Sequence, residues 1–229
     1  MESDLLIDLV KLMVINIVLS GDNAIVIALA CRNLPAEQQK KAVFWGSFGA
    51  IGLRIVLTVA AVWLLKIPLL QVIGSLMLLY IAVKLLISDG EEEQVRSGNS
   101  LKEAIKTIII ADLVMSLDNV LAVAGAANGN ILLIGLGLAI SVPLIIWASK
   151  LLMVIMNRFP IIVWAGAALL GYTAGEMILN DHAVGHHIEE AFPVGHIAIP
   201  VTMAVIVLLV GKLMNSIKAD LKRRELSKL

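Results

Sequence analysis

The sequence predicts an all-α polytopic membrane protein: seven transmembrane helices, arranged as a three-plus-three inverted repeat with one extra C-terminal helix. Three observations lead there. First, 59% of the 229 residues are hydrophobic and the mean hydropathy is +0.94, well above the ~45–50% apolar content of a soluble domain. Second, apolar stretches long enough to cross a bilayer recur along the chain, separated by short polar breaks. Third, one polar box occurs twice, in stretches that are otherwise apolar. Aromatic residues make up only 4% of the chain, so the apolar share is aliphatic, as in helices that face lipid. A soluble enzyme, a disordered chain or a nucleic-acid-binding protein fits this composition poorly. Eighteen Lys and Arg balance eighteen Asp and Glu, so no net field draws a polyanion. The single cysteine, Cys31, excludes an internal disulfide and a multi-cysteine metal cluster.

At ~20 residues per crossing, the spans fall at residues 9–30, 42–65, 68–87, 104–127, 131–155, 160–179 and 197–216. The first follows Glu2, Asp4 and Asp8, whereas a secretory signal opens with positive charge; it reads as a retained span. The second carries Gly46, Gly49 and Gly52, small residues that let membrane helices approach closely. The third has Lys84 near its inner end, where a long side chain snorkels to the interface. A charged linker, residues 88–103, leads to the fourth. Pro143 predicts a kink in the fifth, and the sixth carries Glu176 near its outer end. All four histidines then fall in residues 181–196. The basic tail after the seventh span suits anionic inner-leaflet lipid. The whole chain is one transmembrane domain: repeat 1 (5–87), linker (88–103), repeat 2 (104–180), outer loop (181–196), then the seventh helix and tail (197–229). With the N-terminus outside, nearly all Lys and Arg face inward and little beyond Lys11 and Lys66 faces outward, the bias expected of cytoplasmic loops.

The repeat shows when the chain is compared with itself. Ser20-Gly-Asp22-Asn23 aligns with Ser116-Leu-Asp118-Asn119 at an offset of 96, which also sets Asn16 opposite Asp112. A second register, offset by 92, pairs Pro68 with Pro160, Gly74 with Gly166, Tyr80 with Tyr172 and Lys84 with Glu176. Each unit holds three crossings, so the second enters the membrane from the opposite side. Such inverted repeats are common in secondary transporters, with the site near the midplane between the halves.

A carboxylate near the bilayer centre costs ~3 kcal/mol on insertion scales, so buried aspartates at equivalent places in two halves point to function. Carboxylate, amide and hydroxyl oxygens suit hard divalent cations, and the absence of thiolate and imidazole from the boxes argues against zinc or copper. The candidate ligands are Asp22, Asn23, Asp112, Asp118 and Asn119, with Asn16, Ser20, Ser116 and Glu176 as further ligands or proton carriers. Convergence of all these oxygens requires the first and fourth helices to break at the boxes, and broken helices are the expectation. The bland reading makes the aspartates packing residues neutralised by Arg54, Lys84 or Lys150; Glu176 can likewise be a snorkelling carboxylate. In the outer loop, His182 and His186 stand at a metal-ligand spacing if that segment is helical, and His187 adjoins them. A loop that is merely solvated accounts for the same residues.

Ser20-Gly-Asp-Asn-Ala24, Cys31-Arg-Asn-Leu-Pro35 and the second box from Asp112 to Val120 together resemble the TerC family of membrane proteins, across spans one to six. The resemblance implies an inverted-repeat fold related to lysine-exporter-like transporters, and metal efflux, chiefly of manganese. By position, Asp22, Asn23, Asp118 and Asn119 match the family's acidic motifs. The expectation is therefore a non-enzymatic secondary transporter of a bacterial plasma membrane. It would export manganese as its substrate ion, hold no tightly bound cofactor, meet lipid but no nucleic acid, and be able to form a homo-oligomer. An exporter of calcium or an amino acid, or a membrane scaffold, remains as an alternative.

Overall fold

The computed structural model describes residues 21–64, 67–87, 97–126, 131–192 and 194–226, and the regular elements in those segments are all helices. The helices are α1 (Gly21–Cys31), α2 (Ala36–Leu64), α3 (Leu70–Ile87), α4 (Ser97–Ala126), α5 (Ile131–Arg158), α6 (Ile161–Asn180), the short α7 (Gly185–Ala191) and α8 (Gly195–Leu226). Within α2, α3, α5, α6 and α8, five stretches are long and apolar enough to cross a membrane. Their outer surfaces agree with that role. Trp63 is 72% exposed, Tyr80 68% and Leu209 62%, and other exposed aliphatic side chains surround them. A patch of this extent would be an association hazard in water. Against acyl chains it is the expected exterior. The protein is an integral, multi-pass membrane protein.

Several sequence expectations shift at the element boundaries. Helix α4 begins at Ser97, within the stretch expected to be linker, and α8 continues through the basic tail to Leu226. Lys, Arg, Glu and Leu are strong helix formers, so the end of apolar character does not end the helix. The expected outer loop holds a helical turn, α7. Pro143 lies inside an uninterrupted α5.

The core forms where α1, α3, α4 and α6 bury Val26, Leu29, Leu78, Leu86, Ile108, Met115, Leu170 and Met177. Helices α2 and α4 run in parallel. Gly46 abuts Ile108 and Gly49 abuts Ile109, and a Cβ on either glycine would fall 2.8 or 2.7 Å from those isoleucines. Helix α8 packs on α6 and α3; a Cβ on Gly175 would lie 2.4 Å from the Pro200 Cα. These close approaches are the use to which the small residues are put.

Polar clasps join the helix ends on each side. At one end, Arg32 Nη2 donates to the Leu85 carbonyl at 3.0 Å and Gln39 Nε2 to the Arg32 carbonyl at 3.2 Å. Lys84 pairs with Glu103 there, at an exposed position, as expected of a snorkelling lysine. At the other end, Asp181 is only 3% exposed. Its carboxylate accepts the Gln71 N–H at 3.2 Å and the Ala183 N–H at 2.9 Å. The end of α6 is thus fixed to the start of α3.

Candidate functional site

Arg54 faces inward from the middle of α2. Thr58 donates its hydroxyl to the Arg54 carbonyl at 2.8 Å, one turn along. The guanidinium reaches α4, where Nη2 donates to Asp112 Oδ1 at 2.6 Å and Nε to Ser116 Oγ at 2.9 Å. The Ser116 hydroxyl in turn donates to Asp112 Oδ2 at 3.3 Å. Asp112 and Ser116 stand one helical turn apart, so both face α2. The pair is well sheltered, with side-chain exposures of 5% for Arg54 and 12% for Asp112. A charge-assisted bond this short in a low-dielectric setting is among the stronger polar contacts a protein makes.

Beside the pair lies a cavity of about 30 Å³, enough to hold at least one water. Asn23 of α1, Ser47 and Arg54 of α2, Asp112 of α4 and Ser141 of α5 supply its polar lining, with Val26, Ile27, Ile108 and Ile145 around them. Asn23 is 5% exposed. Neither its amide oxygen nor its amide nitrogen has a hydrogen-bond partner among the described residues, and the same holds for Ser47 Oγ. Native proteins rarely leave such groups unsatisfied, and exceptions tend to mark sites that receive a ligand, ion or water. The neighbouring Asp22 carboxylate accepts the Asn23 N–H at 2.8 Å. The first box and the fourth span therefore meet at one place.

Other candidates fall elsewhere. Asn16 and Ser20 lie outside the described residues. Asp118 and Asn119 lie in α4, but their side chains are outside the described part of the structure. The expected break of the fourth helix is not found: α4 is continuous through the box. The second box has Leu117 where the first has Gly21, and no glycine or proline occurs between residues 101 and 124. Nothing local interrupts the backbone ladder. Glu176 is exposed on α6 and does not line the cavity. His182 is exposed in the turn before α7; His186 and His187 are exposed on it, their rings edge-to-face at 6.3 Å. Among the described residues no three His, Cys, Asp or Glu side chains form a metal-binding group.

Ser47 and Ser141 escaped the sequence reading. A signal for them exists: residue 141 lies 94 positions after residue 47, midway between the offsets of 96 and 92 that relate the flanking spans. The two serines lie in α2 and α5, and they line the same cavity.

Comparison with known proteins bears on the whole chain. The profile of the integral membrane protein TerC family matches residues 1–219. The uncharacterized membrane protein YjbE of Bacillus subtilis is 50% identical over 181 residues, covering 79% of this chain and 83% of that protein. YceF of the same organism, also an uncharacterized membrane protein, is 28% identical over 177 residues, 73% of this chain and 68% of its own length. YegH of Escherichia coli is 27% identical over 175 residues, 68% of this chain but only 33% of its own length. No solved structure matches significantly.

Proposed function

The chain belongs to the integral membrane protein TerC family, and from that premise we propose that it is a secondary transporter, not an enzyme, that exports a divalent cation, most readily manganese. One observation carries the reading. Amide, hydroxyl and carboxylate groups from both halves of the chain line a single cavity: Asn23 and Ser47 from the first, Asp112 and Ser141 from the second, with Asp22 next to Asn23 and Ser116 bonded to Asp112. A hard, oxygen-seeking cation is the ligand that chemistry favours. Asp118 and Asn119 complete the set by repeat equivalence, with Asn16 and Ser20 beside the first box. In this scheme no cofactor is needed and the ion is the substrate.

Helix packing supports an inverted repeat of three plus three spans. Exchanging α1 with α4, α2 with α5 and α3 with α6 carries the α2–α4 contact onto α5–α1 and α3–α4 onto α6–α1. The contacts α1–α4, α2–α5 and α3–α6 map onto themselves. An axis relating the halves would pass through that central group, and the cavity lies among α1, α2, α4 and α5. Seven crossings with the N-terminus outside and the C-terminus in the cytoplasm follow from the basic-residue bias. A bacterial plasma membrane is the setting, lipid the surrounding partner, and self-association compatible with the exposed α8 face. An amino-acid exporter needs a cation for its substrate's carboxylate, and in that reading Arg54 would be essential to transport.

Purified protein in liposomes tests this. Under imposed proton or sodium gradients, wild type should accumulate manganese, and Asp22→Ala and Asp118→Ala should each reduce the rate at least tenfold. A protein that moves no manganese under either gradient would instead be a membrane scaffold.

A further inference from the structure

Arg54 places a permanent positive charge inside a site that the preceding reading assigns to a cation. The guanidinium and Ser116 between them engage both oxygens of Asp112. Each oxygen keeps a further lone pair, but the guanidinium's positive charge beside them opposes a metal ion in the same place. We infer that Arg54 is a tethered stand-in for the transported ion, neutralising Asp112 while the carrier is empty and leaving it when the divalent cation loads. The inference rests on the site being a cation carrier site.

Three features of the molecule support it. The first is charge. A carboxylate alone in the membrane interior is costly, and a carrier working in net transport must return empty. With Arg54 in place the empty pair is neutral. The second is room: the guanidinium that pairs with Asp112 also borders the cavity. Ser47 Oγ, unpartnered among the described residues, is an acceptor lining that same cavity. The third is arithmetic. A monovalent ion replacing the guanidinium changes no charge at Asp112, whereas a divalent ion adds one more positive charge. Asp22 adjoins Asn23, which lines the cavity, and supplies a second negative charge to meet it. The arrangement thus favours divalent over monovalent cargo.

Net uptake and exchange separate this role from a structural one. Proteoliposomes would be loaded with buffer alone, or with unlabelled manganese, and supplied outside with radioactive manganese. Only net uptake requires the empty carrier to reorient. Wild type should perform both modes. Arg54→Gln should lose at least tenfold more in net uptake than in exchange. Arg54→Lys keeps the charge but not the two-pronged contact, so its net uptake should fall by a several-fold larger factor than its exchange. That variant carries the test if the glutamine variant does not fold. A ratio of net uptake to exchange equal to that of wild type in the folded variants would overturn the inference. Wild type inactive in both modes would instead remove the transport reading itself, and the inference with it.

Discussion

One turn of helix separates Asp112 from Ser116, and that spacing lets a single guanidinium hold both. Breaking a buried pair from one side leaves an uncompensated charge, which costs ~3–5 kcal/mol. Arg54→Met should therefore lower the melting temperature in detergent, as should Asp112→Leu. The double variant Arg54→Met/Asp112→Leu should recover much of the loss. A double variant as unstable as the sum of the singles would show that the two groups act independently. Ser47 offers the opposite behaviour. Its hydroxyl has no partner among the described residues, so Ser47→Ala should leave melting unchanged and weaken manganese binding several-fold by calorimetry. The sequence pointed to Asp112, Ser116, Asn23 and Arg54 because charge and amide groups in an apolar span are conspicuous. Ser47 and Ser141 were not legible in that way. A lone serine in a membrane helix commonly bonds the carbonyl of the preceding turn, as Ser75 does to Val72 and Ser149 to Ile146. Only the cavity distinguishes Ser47 from them.

Among the elements, α4 departs most from its sequence reading. The expected break relied on the glycine of the first box, and the second box has Leu117 in its place. The continuous helix keeps Asp112 and Ser116 on one stripe and brings both to Arg54, so an intact α4 is what builds the ion pair. Gly46 and Gly49 are contact surface as expected and Gly52 is not, and the partners could not be named without the fold. Gly175 and Gly52 show the difference. A methyl group on Gly175 meets backbone of α8, whereas on Gly52 it meets nothing within 4 Å. Gly175→Ala should destabilise by about 1–3 kcal/mol, the range for overpacking. Gly52→Ala should be neutral or mildly stabilising, as alanine is the better helix former by about 1 kcal/mol. Thermal melting of the two in one detergent compares them; equal shifts would mean that the α6–α8 contact is looser than drawn.

For the whole molecule, composition alone carried the membrane assignment, because lipid demands apolar exteriors over long stretches. The packing of the helices was less accessible, since which of them touch depends on side-chain fit along faces that all look alike in sequence. The clasps at the helix ends make a prediction about sides: Asp181 with Gln71 lies at one end, and Arg32 with Leu85 at the other. In a variant whose buried Cys31 is replaced by alanine, a cysteine at His187 should react with an impermeant maleimide added outside intact cells. One at Gln38 should react only after lysis. The reverse pattern would invert the proposed orientation. The central claim is that the two halves of the chain jointly form one divalent-cation site, and equilibrium binding of manganese to the purified protein tests it most directly. Paramagnetic resonance of free manganese should give one saturable site per chain, abolished by Asp22→Asn and by Asp112→Asn alike. Unaltered binding in either variant, or none in wild type, would contradict a site shared between the halves.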